Sequence, residues 1–429
     1  MSRDFFVVAV KVMTSSIIAR SLGPENFGIW IVLLILPSYA EAFTRPKLDV
    51  AAVYFLGKGD MKLGEVASVL FLVSIAIGSV VFALGIWNAQ FIMRFLFNRA
   101  SVDPILLYLV VATIPFNSLC LSFLYLLLHL GDMRTYNRLV IIIQVLSSLG
   151  GIFCLLVLGW GLWGMAISSL LAFLLGTGYG FIKINIHERF AFGFNRQVFS
   201  SLYRYAAYAY IEGIINHLTH YFSSIVIVRF LALTEITFFR MAQNLTQYIA
   251  RIPAALSTVL YPAISQSSSS LSESGRLTAL ASRVSLAISM VAVLLLAVSI
   301  YPIVRLLYGV EYMDVALHVL IILPGIGFLA GTDPLAQFFL GTGRAKLTMQ
   351  LALIPFFFQI IFSFVLITMF GSIGASMVTS LTCVLLATVR SYAFMKTSHF
   401  PLRCFLLPTT EDVLLIRDWT RGRIGLSNR

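Results

Sequence analysis

Four polar side chains recur at helical spacing within one apolar stretch of the sequence. Arg240, Asn244, Gln247 and Arg251 are separated by four, three and four residues, which places them on one face of a helix. A charge at the centre of a membrane-spanning helix costs ~2.5–3.5 kcal/mol, so it usually faces a partner or a wet cavity. Two arginines and two amides on one face predict a cavity wall that binds an anion. A structural ion pair with a neighbouring carboxylate is the alternative.

A second polar stripe precedes the first one. Tyr208, Glu212, Asn216 and His220 follow one another at intervals of four residues. We expect this stripe to line the same cavity. Glu212 is interpreted either as a group that binds a proton or cation, or as a structural partner of Arg251.

Several polar residues outside the two stripes also occur in apolar stretches. Lys11 lies in the middle of one stretch and is predicted to line the cavity as well. Glu41 and Arg45 are four residues apart near the end of another and are predicted to form an ion pair. His217 lies off the stripe that contains Glu212 and is interpreted as a packing histidine.

Asp333 is the remaining candidate for ion binding, because it is charged and precedes Pro334 within an apolar stretch. Like Glu212, it is a candidate to bind a proton or cation. No cofactor and no metal site are predicted, because the four cysteines are scattered singly along the chain.

The elements that must position these side chains are membrane-spanning helices. The chain has 429 residues, of which 59% are hydrophobic and 11% charged, whereas soluble domains are about 25% charged. Runs of about 20 apolar residues recur, and each is long enough to cross a ~30 Å hydrocarbon core. We predict an all-α integral membrane protein with about twelve spans. The spans are 5–19, 28–44, 66–87, 104–129, 139–158, 162–182, 205–228, 237–261, 283–304, 315–340, 347–369 and 373–395. Gly23-Pro24 is predicted to form the bend between the first two spans, and Gly28 to begin the second.

The distribution of lysine and arginine predicts the orientation of these spans. Twenty-two of the thirty fall on one predicted side, six on the other, and Lys11 and Arg251 lie within spans. The positive-inside rule places the richer side, with both termini, in the cytoplasm. The net charge of +12 is therefore a signal of topology and not of nucleic-acid binding.

A weak internal repeat divides the spans into two halves. The segment "IIARSLGPENF" is similar to "VIVRFLALTEITF", and later segments match at offsets near 210 residues. Two parallel six-span lobes, 1–195 and 196–396, followed by a cytoplasmic tail 397–429, would surround a central cationic cavity. Chance similarity between apolar helices is the alternative. The first half has fewer residues before Arg20 than the second has before Arg229, so we expect that the chain begins late or that its first span is short.

Motifs of several enzyme classes do not occur. The segment "GTGRAK" lacks the ending of a phosphate-binding loop, and neither HExxH nor GxSxG is found. The sequence therefore predicts a transporter and not an enzyme. Two alternatives stay open: an exporter of cationic compounds, which would need an acidic cavity, and a membrane-embedded glycan polymerase or acyltransferase, which would need a catalytic His or Arg pair at a loop.

The twelve spans, the repeat, "ARSLGPENFG", "GLWGMA" and the tail "LPTTEDVLLIRDW" resemble the polysaccharide transporter family. These are the Wzx-type flippases of the multidrug/oligosaccharidyl-lipid/polysaccharide (MOP) exporter superfamily, which includes the MATE transporters. The resemblance implies alternating access that moves undecaprenyl-pyrophosphate-linked oligosaccharide across the bacterial inner membrane for lipopolysaccharide or exopolysaccharide synthesis. It also implies a glycan polymerase and a chain-length regulator as partners. A pyrophosphate headgroup would fit the predicted cationic cavity.

Overall fold

The computed structural model describes residues 2–57, 59–97, 102–187, 189, 193–266, 271–342 and 344–401. Throughout these ranges the regular structure is helical. The tail motif "LPTTEDVLLIRDW" lies outside them. The helices are α1 (Ser2–Thr44), α2 (Leu48–Gly57), α3 (Leu63–Trp87), α4 (Ala89–Leu96), α5 (Pro104–His129), α6 (Met133–Val145), α7 (Gly151–Leu156), α8 (Gly161–His187), α9 (Arg196–Phe230), α10 (Leu233–Gln266), α11 (Leu271–Leu307), α12 (Asp314–Gly331), α13 (Asp333–Gly341) and α14 (Ala345–Ser398).

Eight helical stretches of the described chain are long and apolar enough to cross a membrane. Two of them, Val8–Thr44 and Lys346–Ser398, contain a non-helical glycine, Gly23 and Gly371, and each is therefore a pair of helices joined by a kink. Helices α9 and α10, with 35 and 34 residues, are also long enough to span but are more polar. These segments agree with the twelve predicted spans, and the prediction of an all-helical multi-pass membrane protein is confirmed.

The predicted bend at Gly23-Pro24 is present in the structure. Gly23 has a φ of 73°, in the left-handed region that glycine adopts without strain, and the helix resumes at once with Pro24. The expectation that Gly28 opens the next helix is wrong, since Gly28 lies one turn inside it. A Cβ at Gly28 would lie 2.5 Å from the Leu233 carbonyl oxygen. Glycine is needed there because a neighbouring backbone approaches closely.

The chain packs as two compact units. Unit 1 comprises Met1–Thr237 and Arg305–Tyr312, and unit 2 comprises Phe238–Val304 and Met313–Arg429. In unit 1, α2, α3, α5, α8 and α9 share an apolar core around Leu70, Phe123 and Leu202. In unit 2, Leu335, Phe338 and Phe394 form a smaller core between α13 and α14. The lobes predicted from the repeat, with a boundary after residue 195, stay a prediction.

Candidate functional site

The α9 stripe lies on an accessible face of its helix. Tyr208 and Asn216 are exposed, and Glu212 and His220 are half-buried. The intervals of four residues therefore bring a phenol, a carboxylate, an amide and an imidazole to one surface of unit 1, as expected for a helix. Whether this surface binds a ligand stays a prediction.

The α10 stripe is less uniform than its spacing suggests. Asn244 and Arg251 are exposed, Gln247 is half-buried, and Arg240 is buried. Arg240 donates through Nη1 to Oε1 of Gln243 at 2.6 Å. Because the Gln243 side chain accepts a hydrogen bond from its guanidinium, Arg240 contributes to the packing of α10.

Arg251 is the more available cation of the α10 stripe. Its Cζ lies 5.3 Å from the ring centroid of Tyr248, in a cation–π contact that leaves the guanidinium exposed. It can therefore reach a ligand without leaving a buried partner unpaired.

Asp333 stands at a break between two helices of unit 2. Helix α12 ends at Gly331, whose carbonyl oxygen accepts the Ser282 hydroxyl at 2.8 Å, and α13 begins at Asp333. Oδ1 of Asp333 accepts a hydrogen bond from Nη1 of Arg390 on α14 at 3.2 Å. The structure thus supplies a partner that the sequence did not indicate, since 57 positions separate the two residues.

Lys11 lies on the first segment of α1, where its side chain is exposed. One turn further on, the Ser15 hydroxyl lies 3.1 Å from the hydroxyl of Tyr308. Lys11 therefore belongs to the part of α1 that packs in unit 1, and its assignment to a cavity stays a prediction.

Unit 1 contains a group of five charged residues, of which the sequence predicted only the Glu41–Arg45 ion pair. We call Glu41, Arg45, Lys47, Asp49 and Glu212 the charged corner. Nε and Nη2 of Arg45 donate to Oδ2 of Asp49 at 2.9 and 2.7 Å, and Nη1 lies 3.6 Å from Oε1 of Glu41. The predicted Glu41–Arg45 pair is confirmed, but Asp49, only 2% exposed, is the closer partner.

Two neighbours complete the environment of Arg45. Its guanidinium lies over the ring of Tyr125 on α5, 5.0 Å from the centroid. Burial disfavours the charge of Arg45, but Asp49 and Tyr125 outweigh it and raise the pKa of the guanidinium. Arg45 is therefore a permanent cation that fixes the end of α1 to α2 and α5.

Lys47 extends from the charged corner across α9. Its φ of 55° is unusual for a residue with a side chain. Its Cε lies 3.0 Å from the position that a Cβ at Gly213 would occupy, so the lysine stem passes directly over the α9 backbone. Burial, followed by the charge of Arg45, lowers the pKa of Lys47, whereas Asp49, Glu41 and Glu212 oppose this shift.

A small cavity lies beside Lys47 within unit 1. It is lined by Glu41, Arg45, Lys47, Tyr210 and His217, together with Ala42 and Gly213. The Tyr210 hydroxyl donates to the Phe43 carbonyl oxygen at 3.0 Å, which joins α9 to the end of α1. Sequence reasoning had set His217 aside as a packing residue. The available signal was the occurrence of four charged residues within positions 41–49.

The part of α1 just before the bend at Gly23 is held differently. We call Ser16, Ala19, Arg20, Leu306, Leu307 and Tyr312 the Arg20 latch. Nε of Arg20 donates to the Leu307 carbonyl oxygen at 2.8 Å, and Nη2 donates to that of Leu306. Ser16 donates to Leu307, and the Tyr312 hydroxyl donates to the Ala19 carbonyl oxygen at 2.6 Å. The C-terminal carbonyls of α11 are therefore capped by a cation from α1.

Next to the latch, the turns of the two predicted repeats meet. The Thr237 hydroxyl donates to the Pro24 carbonyl oxygen at 2.8 Å, and Gly28 packs against Leu233. The sequence "ARSLGPENFG" is therefore a packing motif, in which Arg20, Pro24 and Gly28 each contact a distant part of unit 1.

A family model described as "Polysaccharide biosynthesis protein" matches residues 17–317. The chain belongs to that family. The matched range contains both polar stripes, the charged corner and all residues of the Arg20 latch except Ser16. No curated protein sequence matches the chain.

Solved structures show which fold this member of the family has. A multidrug resistance MATE family transporter of the MOP superfamily, in an inward-facing conformation, aligns with a TM-score of 0.78 at 13% identity, over 91% of this chain and 94% of that one. The lipid II flippase MurJ, in an inward closed conformation, aligns with a TM-score of 0.77 at 15% identity, over 100% and 93%. A MOP superfamily transporter from Pyrococcus furiosus gives 0.64 at 12% identity, over 93% of each chain. The chain therefore has the fold of the MOP transporters.

Proposed function

We propose that this protein is a flippase that moves undecaprenyl-pyrophosphate-linked oligosaccharide across the bacterial inner membrane. The observation that carries the proposal is the family match, since a polysaccharide biosynthesis protein with a MOP transporter fold has a transport step to perform. The similarity to a structure named as a lipid II flippase supports a lipid-linked substrate. In this proposal the chain transports and does not catalyse.

The polarity of α9 and α10 supports a wet path through the protein. Both are long enough to span, yet they are less apolar than the other spans of the described chain. Polar faces inside a membrane need water, a ligand or a protein partner. Arg251 would contact the pyrophosphate, with Arg240 and Lys11 contributing positive charge. Tyr208, Asn216, His220, Asn244 and Gln247 would contact sugar hydroxyls.

The proposal places both termini in the cytoplasm, as the lysine and arginine distribution predicts. Alternating access would then open the binding surface first to the cytoplasm and later to the outer side. A proton or sodium gradient would drive the cycle, with Glu212 and Asp333 as the coupling carboxylates. A glycan polymerase and a chain-length regulator would act on the product at the outer surface.

Replacement of Arg251 tests the substrate assignment. A hydrogen bond to a charged group contributes about 1.5–3 kcal/mol, so Arg251→Ala should reduce glycan export roughly 10- to 100-fold. The measurement is the amount of surface glycan, together with lipid-linked oligosaccharide retained on the cytoplasmic face, in cells that contain the variant at the wild-type level. Arg344→Ala, at an exposed loop arginine, is the matched control and should export normally.

Two outcomes would contradict the proposal. Wild-type surface glycan in Arg251→Ala would remove this residue from the substrate path. Normal glycan export in cells that lack the protein, combined with increased sensitivity to cationic drugs, would instead identify a drug exporter.

A further inference from the structure

The structure places His217 at the wall of a cavity, which its neighbours in the sequence do not indicate. It lines the cavity beside Lys47 with Glu41, Arg45 and Tyr210, away from the face of the α9 stripe. Its ring stacks against that of Tyr221, with the centroids 6.4 Å apart. This packing fixes the orientation of the ring but leaves the imidazole at a polar cavity.

A hydrogen bond determines the tautomer of His217. Its Nδ1 lies 3.1 Å from the carbonyl oxygen of Gly213, one turn earlier on α9. Because a carbonyl oxygen only accepts, Nδ1 carries the hydrogen. The lone pair of the neutral ring then resides on Nε2, which is the atom that takes up a proton.

The surroundings of His217 contain charges of both signs. Its cavity is lined by Glu41 near the end of α1, by Arg45 and Lys47 in the loop before α2, and by Tyr210 on α9. Asp49 on α2 and Glu212 on α9 act on the charge of Lys47. The charged corner contains three carboxylates and two cations, so it has a net charge of −1 when Lys47 is protonated. An added positive charge would balance the corner, but it would also stand next to Lys47 and Arg45.

We propose that His217 is a proton-binding site of unit 1, and that Lys47 and Glu41 set its affinity in opposite directions. One proton from a solvent hydronium ion adds to the Nε2 lone pair, which breaks one O–H bond of the hydronium and releases water. The neutral imidazole becomes imidazolium, while Nδ1 keeps its hydrogen bond to the Gly213 carbonyl oxygen. The cavity is no larger than about one water molecule, so it takes a proton and not a sugar or a diphosphate.

The position of Lys47 allows it to respond to this proton. A lysine in the left-handed region is strained relative to glycine, and such strain points to a use for the side chain. Its stem packs on α9 at Gly213, the residue whose carbonyl accepts from His217. An imidazolium would repel the Lys47 ammonium, which would weaken the packing of α9 against the charged corner. This role in coupling rests on the proposed function, whereas proton binding itself does not.

Titration of the six histidines by NMR tests proton binding directly. The full chain, labelled at histidine with ¹³C and ¹⁵N, is reconstituted in lipid nanodiscs, and the His217 signal is identified by its loss in His217→Gln. A neighbouring cation disfavours imidazolium, whereas a neighbouring carboxylate favours it. The His217 signal should therefore titrate at a higher pH in Lys47→Met than in the wild type, and at a lower pH in Glu41→Gln.

His187 provides an internal control, because it lies 3.6 Å from Asp132 and is 41% exposed. Its midpoint should stay constant in both variants. The proposal is overturned if His217 does not titrate between pH 4.5 and 9, or if neither variant moves its midpoint relative to His187. Gly213→Ala keeps α9 helical but displaces the Lys47 stem, and it should also raise the midpoint.

An export assay tests the link to transport. His217→Gln should abolish the stimulation of glycan export by a pH gradient, and wild-type stimulation in that variant would overturn the coupling role. If the wild-type protein exports no lipid-linked glycan, the proposed function fails, and the NMR titration still decides whether His217 binds a proton.

Discussion

Helix α1 is held at two places by different kinds of contact. One is the Arg20 latch, just before the bend at Gly23, and the other is the charged corner, at the C-terminal end of the helix. At the Arg20 latch, a guanidinium and two hydroxyls donate to main-chain carbonyls. At the charged corner, side chains of opposite charge contact one another beside a cavity that also contains His217. None of the latch donors changes its charge near neutral pH, whereas the corner includes groups that titrate or that respond to neighbouring charge.

The two sets of contacts should therefore differ in how they respond to pH and salt. A contact between a permanent cation and carbonyl oxygens depends on distance alone, so the latch opens only when the segments separate. A cluster of charges also depends on protonation and ionic strength. We therefore expect a proton or salt to change the packing at the charged corner and to leave the Arg20 latch unaffected.

The largest effect is expected at Asp49. This residue is 2% exposed and accepts from Arg45 and from the backbone N–H of Val50. Asp49→Asn removes the main partner of Arg45, whose side chain is only 13% exposed. Removal of one member of a buried pair costs about 3–5 kcal/mol. Thermal unfolding of the purified protein should show the loss as a lower midpoint.

Asp60→Asn is the control for Asp49→Asn, since Asp60 is exposed in the loop before α3. Equal stability of the two variants would show that the charged corner contributes nothing to the packing of unit 1.

A smaller effect is expected from Gly28 near the Arg20 latch. A Cβ there would meet the Leu233 carbonyl oxygen at 2.5 Å, and overpacking of this kind costs about 1–3 kcal/mol. Gly28→Ala should therefore lower the unfolding midpoint. Gly178→Ala is the matched control, because a Cβ at Gly178 on α8 meets nothing within 4 Å. A higher midpoint for Gly28→Ala than for its control would contradict the close approach.

Arg20 itself is exposed, so its contribution to stability should be smaller, about 1 kcal/mol. The useful measurement is accessibility. Arg20→Gln should increase the labelling rate of a cysteine introduced at Ala19, which is fully buried in the structure. The ratio of the labelling rates with and without Arg20→Gln should be the same at pH 6 and pH 8, because no latch donor titrates in that range. A pH-dependent increase would remove the proposed contrast with the charged corner.

The smallest effect concerns the response of the charged corner to alkaline pH. The pKa of Lys47 is lowered from 10.5 in the packed protein, so the unfolded chain binds this proton more tightly. Stability should therefore rise with pH between the lowered pKa and 10.5. The wild-type unfolding midpoint should increase relative to that of Lys47→Met across this window. A parallel pH dependence in the two proteins would exclude Lys47 as the source.

Much of the membrane architecture followed from local sequence properties. The spans were predicted from runs of apolar residues, and the bend at residues 23 and 24 from a Gly-Pro pair, because hydropathy and turn chemistry depend on neighbouring positions. The stripes on α9 and α10 share a helical face as their spacing indicates, although their exposure differs from residue to residue. The need for glycine at position 28 could not be predicted in this way, since it depends on the backbone of Leu233, which is distant in the chain.

What the sequence by itself determined is the membrane class, the span count and the polar faces of α9 and α10. The tertiary structure decided which charges meet. Arg390 reaches Asp333 across 57 positions, and Arg20 reaches Leu307 across 287. Lys47 passes over Gly213 beside His217 for the same reason. A side chain reaches only a few ångströms, so its partners depend on how the helices pack, and no local pattern records that packing.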